Sequence, residues 1–157
     1  MVRRVKEIFK EATEAAKRNK ELQYNDPVTK LFNRRYLMIK LPELISLEGR
    51  TNGGSIVLLA LNEAQHLNQI LGRQKTDEFF LQLAKIFKSI CAMHDENLIS
   101  RVNGTEFILV LPNAHTSETQ HITQQINRDF DELLQKYKIS QTQVNISIGV
   151  YRYRSQI

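Results

Sequence analysis

The tightest constraint on this chain is a turn. Asn103-Gly104 separates two apolar runs, Leu98 to Val102 and Phe107 to Leu111. An Asn-Gly pair between such runs marks a β-hairpin, because both residues accept the backbone that a two-residue turn demands. Thr105 and Glu106 follow directly on the bend. A polar pair beside a buried strand is placed where a functional site would lie, and it is equally the solvated tip of a plain hairpin.

The hairpin needs a sheet to join. Ile56 to Leu61 is a continuous apolar run, the pattern of a central strand covered on both faces, and Val144, Ile146, Ile148 and Val150 alternate as a strand with one buried face. Helical patterns fill the intervals. Asn33 can cap a helix from Arg34 to about Leu47 that Pro42 kinks or shortens, and the loop Arg50-Thr-Asn-Gly-Gly54 follows. Asn62 to Leu71 reads as a short helix ended by Gly72, and Asp77 to about Met93 as a long one with Phe80, Leu83, Phe87 and Ile90 on its inner face. Ser117 with Gln120 has the form of a capping box for a helix reaching Tyr137. The order predicts an α+β fold in which helices pack on a sheet with antiparallel pairs.

The first 23 residues follow a different rule. Met1, Val5, Ile8, Ala12, Ala15, Asn19 and Leu22 are spaced alternately by four and three, which puts Val5, Ala12 and Asn19 at a positions and Ile8, Ala15 and Leu22 at d positions of a heptad. This predicts a parallel two-stranded coiled coil with a thin seam, and a homodimer through it. Asn19 favours two chains in one register, since its amide pairs with its symmetry mate. The alternative is a lone helix packed on its own domain. Pro27 ends the helix and pushes Asp26 out of the helical region, so the chain divides into a signalling helix, residues 1–23, and a globular domain, residues 24–157.

Charge and composition remove several classes. A net charge of +5 is concentrated in Arg3, Arg4, Lys6, Lys10, Lys17, Arg18 and Lys20. That cluster fits nucleic acid, a juxtamembrane position or a solvated helix face. Glu7, Glu11, Glu14 and Glu21 intersperse it and no nucleic-acid recognition motif accompanies it, so no nucleic-acid partner is expected. No run is long enough to span a bilayer, and no signal peptide is visible. The single cysteine, Cys91, lies among Phe87, Ile90 and Met93 and reads as a small buried hydrophobe in a reducing, cytoplasmic setting. His66, His94, His115 and His121 lack metal-ligand spacing.

Six segments taken in order resemble the GGDEF domain of diguanylate cyclases, which condense two GTP molecules into cyclic di-GMP. They are Asp26-Pro-Val-Thr-Lys-Leu-Phe-Asn-Arg-Arg-Tyr-Leu37, Ser55-Ile-Val-Leu-Leu-Ala-Leu-Asn62, Leu67-Asn-Gln-Ile-Leu-Gly72, Thr76-Asp-Glu-Phe79, Asn103-Gly-Thr-Glu-Phe107 and Val144-Asn-Ile-Ser-Ile-Gly-Val150. The resemblance covers roughly Tyr24 to Tyr151 and implies a βααββ core like the palm of nucleotide cyclases and polymerases. It also implies a site. In the family, magnesium is held by an aspartate at the end of the first core strand, here Ala60, and by the acidic third letter of the turn motif, here Thr105. Asn62 replaces a further aspartate, Gln65 the usual lysine and Asn103 the first glycine, while Glu63 adds negative charge where triphosphate would approach; Gly104, Glu106 and Phe107 match.

Without the carboxylates that let Mg²⁺ neutralise phosphate, no catalysis and no cofactor are expected. Asn68 and Asp77 fall where the family reads guanine, so weak GTP binding is open; they read equally well as a helix-surface amide and a first-turn acid. The product-inhibition pair corresponds to His94 and Asn97, and feedback there is not expected. The family's final helix is expected to be missing. The whole looks like the helix and GGDEF portion of membrane-bound GGDEF-EAL receptors of the LapD type. That implies a non-catalytic relay with an EAL domain and a membrane or HAMP segment in the parent protein, on the cytoplasmic side of an inner membrane. A GTP-binding regulatory domain and a weak cyclase are the alternatives.

Overall fold

A computed structural model of the protein describes residues 2–46 and 53–153. Five strands form one sheet in the order β1-β3-β4-β2-β5, with β1 (Phe32–Asn33) parallel to β3 (Leu98–Arg101) and the other neighbours antiparallel. β2 (Gly54–Asn62) lies between β4 (Glu106–Leu111) and β5 (Asn145–Tyr153). The α+β fold is as expected, and its hydrophobic centre lies on one side of the sheet.

On that side Val57, Leu59 and Leu61 of β2 and Phe107 and Leu109 of β4 are buried with Leu67, Phe79, Leu83 and Phe87 of α3 (Gln65–Cys91) and Ile126 and Phe130 of α4 (Thr116–Lys136). The other side carries a single described helix, α2 (Arg34–Ser46), whose Leu37 packs on Leu98 and Val110. Leu58, facing this side from β2, remains 39% exposed. The expectation that β2 is covered on both faces is therefore corrected, because α2 packs over β1, β3 and β4 and leaves the β2–β5 half open. Val150 is 51% exposed on edge strand β5, so the predicted alternation holds for Val144, Ile146 and Ile148 and lapses there. Gly54 is required where it stands, since a Cβ would overlap the carbonyl oxygens of Leu111 and Pro112.

Helix boundaries shift in instructive ways. Asn33 caps α2 as predicted, its Oδ1 accepting from Tyr36 N at 3.1 Å, and the helix runs through Pro42; Leu47 and Arg50 to Asn52 lie outside the described residues. β2 continues through Asn62, so the first segment of α3 begins at Gln65 rather than Asn62. Gly72 interrupts α3 with φ 78° and ψ 169°, a conformation open to glycine alone, and Thr76 Oγ1 donates back to its carbonyl at 2.7 Å. The two expected helices are thus one kinked element. The Ser117/Gln120 capping box does not form, because the helix is capped at His115 with no side-chain hydrogen bond and Ser117 already lies inside it.

The helix α1 (Val2–Tyr24) stands off the domain. It contains no buried residue, which removes the alternative of a helix packed on its own domain. Its base is tethered by Asn33 Nδ2 donating to Gln23 O at 2.9 Å and by an edge-on contact between Tyr24 and Tyr36. Among the described residues no helix is long and apolar enough to cross a membrane.

Candidate functional site

The predicted polar tip of the hairpin meets the open half of the sheet. Ala60 of β2 is the register partner of Glu106 on one side and of Ser147 on the other. Asn62, two residues on and so on the same face, donates through Nδ2 to Asn145 Oδ1 at 2.7 Å and Ser147 Oγ at 2.6 Å. Leu61 N donates to Thr105 O at 2.9 Å, which pins the hairpin tip to the end of β2.

The turn differs from the two-residue form expected. Arg101 pairs with Phe107, Val102 N donates to Glu106 O at 2.9 Å, and Asn103, Gly104 and Thr105 form the loop. Neither Asn103 nor Gly104 has positive φ. Asn103 shapes the bend with its side chain instead: Oδ1 accepts from Thr105 N at 2.9 Å, an Asx turn, and Nδ2 donates to Glu106 Oε1. The Thr105 hydroxyl also turns to Asn103 Oδ1, at 3.4 Å. At the strand-to-helix bend, Glu63 takes positive φ of 61° and its Oε2 accepts from Gln65 Nε2 at 2.7 Å. Both carboxylates of this region are engaged by neighbouring amides. Among the described residues no group of three or more His, Cys, Asp or Glu side chains is arranged to hold a metal.

Asn68 and Asp77 stand on the two segments of α3 on either side of Gly72, both exposed and neither hydrogen-bonded through its side chain. His94 and Asn97 lie elsewhere, at the α3–β3 turn, bordering a cleft of about 490 Å³ with Lys30 and Lys88. Cys91 is a free, half-buried thiol at the same cleft, its pKa pushed up to about 11 by burial.

Sequence reasoning missed the residues that join helix to hairpin. Arg101 Nη1 lies 3.0 Å from Asp26 Oδ2, and Nη2 donates to Gly104 O at 2.7 Å. The guanidinium covers the Phe80 ring at 4.4 Å. Asp26 also accepts from Thr29 N and Thr29 Oγ1, each at 2.8 Å. Burial alone would raise the Asp26 pKa, but the Thr29 bonds and Arg101 outweigh it and hold the carboxyl below its ordinary value. The signal available was Asp26-Pro-Val-Thr29, an acceptor with a donor three residues on; its distant partner leaves no local trace.

Residues 23–156 match the family described as diguanylate cyclase, GGDEF domain. The chain belongs to the GGDEF family. A diguanylate cyclase of Vibrio cholerae is 32% identical over 113 residues, which is 71% of this chain and 35% of that protein. Among solved structures, the S helix-GGDEF-EAL portion of Vibrio cholerae LapD bound to c-di-GMP superposes with a TM-score of 0.75 at 25% identity, covering 90% of this chain and 32% of that one. The coiled coil and GGDEF domain of DgcB from Caulobacter crescentus in complex with c-di-GMP give 0.77 at 14% identity over 98% of this chain and 82% of that one, a likeness of fold. This GGDEF domain therefore spans about a third of the length of the Vibrio cholerae relatives.

Proposed function

We propose that this GGDEF domain is a non-catalytic relay in cyclic di-GMP signalling, passing a rearrangement of its N-terminal helix to a neighbouring module. One observation carries the reading: at the positions that correspond to the family's metal carboxylates stand Ala60 and Thr105. Ala60 offers no ligand, Thr105 turns its hydroxyl to Asn103, and Glu106, the register partner of Ala60, is held by the Asn103 amide. This donor set does not fit the magnesium on which phosphoryl transfer in the family depends. His94 and Asn97 likewise replace the pair that would bind inhibitory product.

What remains fits a relay. The helix of residues 1–23 runs into the turn at Asp26, and Asp26 holds Arg101, which holds Gly104 of the hairpin. A displacement at the foot of α1 thereby reaches the hairpin through directly bonded groups. We assign a homodimer through Val5, Ile8, Ala12, Ala15, Asn19 and Leu22, and an EAL domain with a membrane or HAMP segment in the parent protein; the LapD relative has that helix-GGDEF-EAL order. The domain acts on the cytoplasmic side of the inner membrane.

Incubation with GTP and Mg²⁺ tests the reading. No cyclic di-GMP above a no-protein control is expected, and product that disappears in Glu106→Gln would overturn it. The second reading, a GTP-binding regulatory domain, is favoured by the free side chains of Asn68 and Asp77. Calorimetry separates the two: weak, magnesium-insensitive GTP binding lost in Asn68→Ala with Asp77→Ala supports a sensor, and no heat supports an empty relay.

A further inference from the structure

β5 ends the sheet on one side, and among the described residues nothing pairs with its outer edge. That edge is long, since Asn145 to Tyr153 pair with β2 residue for residue and without a bulge. The other edge is managed: β1 is two residues long and packs beneath α2. Edge strands are kept single by a lysine, a proline, a bulge or shortness, and β5 has none of these. The guanidinium of its one charged residue, Arg152, is engaged within the chain, with Nη1 donating to Ala114 O at 2.6 Å and to Ser55 Oγ at 3.2 Å.

The side chains along β5 are left unmatched in a particular pattern. Val150 continues the row of Ile146 and Ile148 on the closed face yet is 51% exposed, and Tyr151 on the open face is 66% exposed. Gly149 lies two residues from Tyr151 on the open face, in register with Leu58, and a Cβ there would meet nothing within 4 Å. We propose that β5 pairs antiparallel with β5 of a second copy of this chain, about a two-fold axis at Val150, so that two five-stranded sheets become one. Each Val150 then stands opposite Val150 of the other copy, and each Tyr151 opposite Gly149, where the ring covers bare backbone. An axis at Gly149 would set Tyr151 against Ser147, and one at Ile148 would set it against Asn145; neither brings the ring over Gly149.

Two features favour a second copy over a foreign strand. A two-fold interface must be its own complement, and β5 carries both halves of each contact, the exposed valine with itself and the ring with the glycine. The charge that would hold copies apart lies elsewhere. The basic cluster is on α1, whose foot is bonded to Asn33 of β1, four strands or about 19 Å across the sheet from β5. That exceeds the Debye length of about 8 Å at physiological salt, so like charges at the foot of α1 do not oppose the pairing. Directly opposed residues point to the same side of a sheet, so the two open halves join into one surface with the polar strips around Ala60 at its opposite ends.

Disulfide trapping and sedimentation of the full chain test the pairing. In a Cys91→Ser background, Val150→Cys should form an intermolecular disulfide under a mild oxidant. Directly opposed residues of an antiparallel pair have Cα atoms about 4.5–5.5 Å apart, and bridging needs less than about 7 Å. Copies carrying Gly149→Cys, out of register with one another, should not bridge among themselves but should bridge to copies carrying Tyr151→Cys. Val150→Lys opposes two ammonium groups at the axis; it should weaken association in sedimentation roughly tenfold and leave the circular dichroism of the chain unchanged. A chain that stays monomeric, or Val150→Cys copies that remain unbridged while the chain associates, overturns the proposal. Association equally strong in Val150→Lys also overturns it, and places the contact away from β5. Bridging among Gly149→Cys copies in place of Val150→Cys copies overturns the axis and with it the contact of Tyr151 with Gly149.

Discussion

The two faces of the sheet have been put to different uses. On the closed face, Phe79, Phe87, Phe107 and Phe130 are at most 2% exposed, and Phe79 meets Phe130 and Phe87 meets Phe107 edge to face. On the open half, Asn62, Glu106 and Ser147 form a polar strip around Ala60 in which Asn62 donates to Ser147 and Asn145 and Glu106 accepts from Asn103, beside Leu58 and a 66%-exposed Tyr151. The signature turn straddles the two. Phe107 is fully buried in the core, whereas Thr105 lies half-exposed at the tip. Packing of the core and the residues of the candidate site therefore lie on different faces of the same strands, and a change in one need not disturb the other.

The largest expected effect breaks the closed face. Phe87→Ala removes a fully buried ring that meets Phe107 at 5.1 Å, and should destabilise the domain by about 3–5 kcal/mol in denaturant unfolding. Ala60→Asp with Thr105→Asp, on the open side, should change the same midpoint far less. Comparable losses would contradict the division of labour between the faces.

Next in size is the clamp at the rim of the closed face. Arg101→Ala leaves the Asp26 carboxylate without its ion pair and Gly104 O without its donor, and should cost about 2 kcal/mol. The folded pKa of Asp26 is lowered, so its contribution is present above the unfolded value of about 3.9 and is lost as pH falls through the folded value. Asp26→Asn should therefore flatten the acid limb of stability against pH, and an unchanged limb would show that Asp26 is not under this load.

Local and periodic features were legible in the sequence, and long-range ones were not. The helical character of residues 2–24, the Asn33 cap and the break at Gly72 each follow from a few adjacent residues and are found, the break as a kink within α3 rather than as a helix end. The Ser117/Gln120 pattern was local too, yet the chain turns helical one residue before Ser117, because an extended His115 already provides the boundary. The apolar run of β2 could not reveal which face α2 would leave open, since burial on both faces and burial on one with an exposed leucine read alike. The Asp26–Arg101 pair joins residues 75 apart and was invisible for that reason. In the candidate site, the identities of Ala60 and Thr105 were plain; the Asx turn by which Asn103 engages both Thr105 and Glu106 was not, because an Asn-Gly pair suggests the two-residue turn first.

The smallest effect tests the comparison within two adjacent residues. Val57 is fully buried on the closed face and Leu58 is 39% exposed on the open one, in the same strand and each with partners on both sides. Threonine suits a strand at either position, so backbone preference cancels and the environment decides. Val57→Thr places a hydroxyl among Leu59, Phe107 and Leu109, where an unmet hydrogen bond costs about 1–3 kcal/mol. Leu58→Thr gives up a partly solvated side chain and keeps its hydroxyl in contact with water, so the loss should be about 1 kcal/mol or less. Chemical denaturation of the two variants side by side gives the answer. A Leu58→Thr cost as large as that of Val57→Thr would mean that something covers the open half of the sheet in solution, and the polar strip beside Ala60 would then be an interface rather than an open surface.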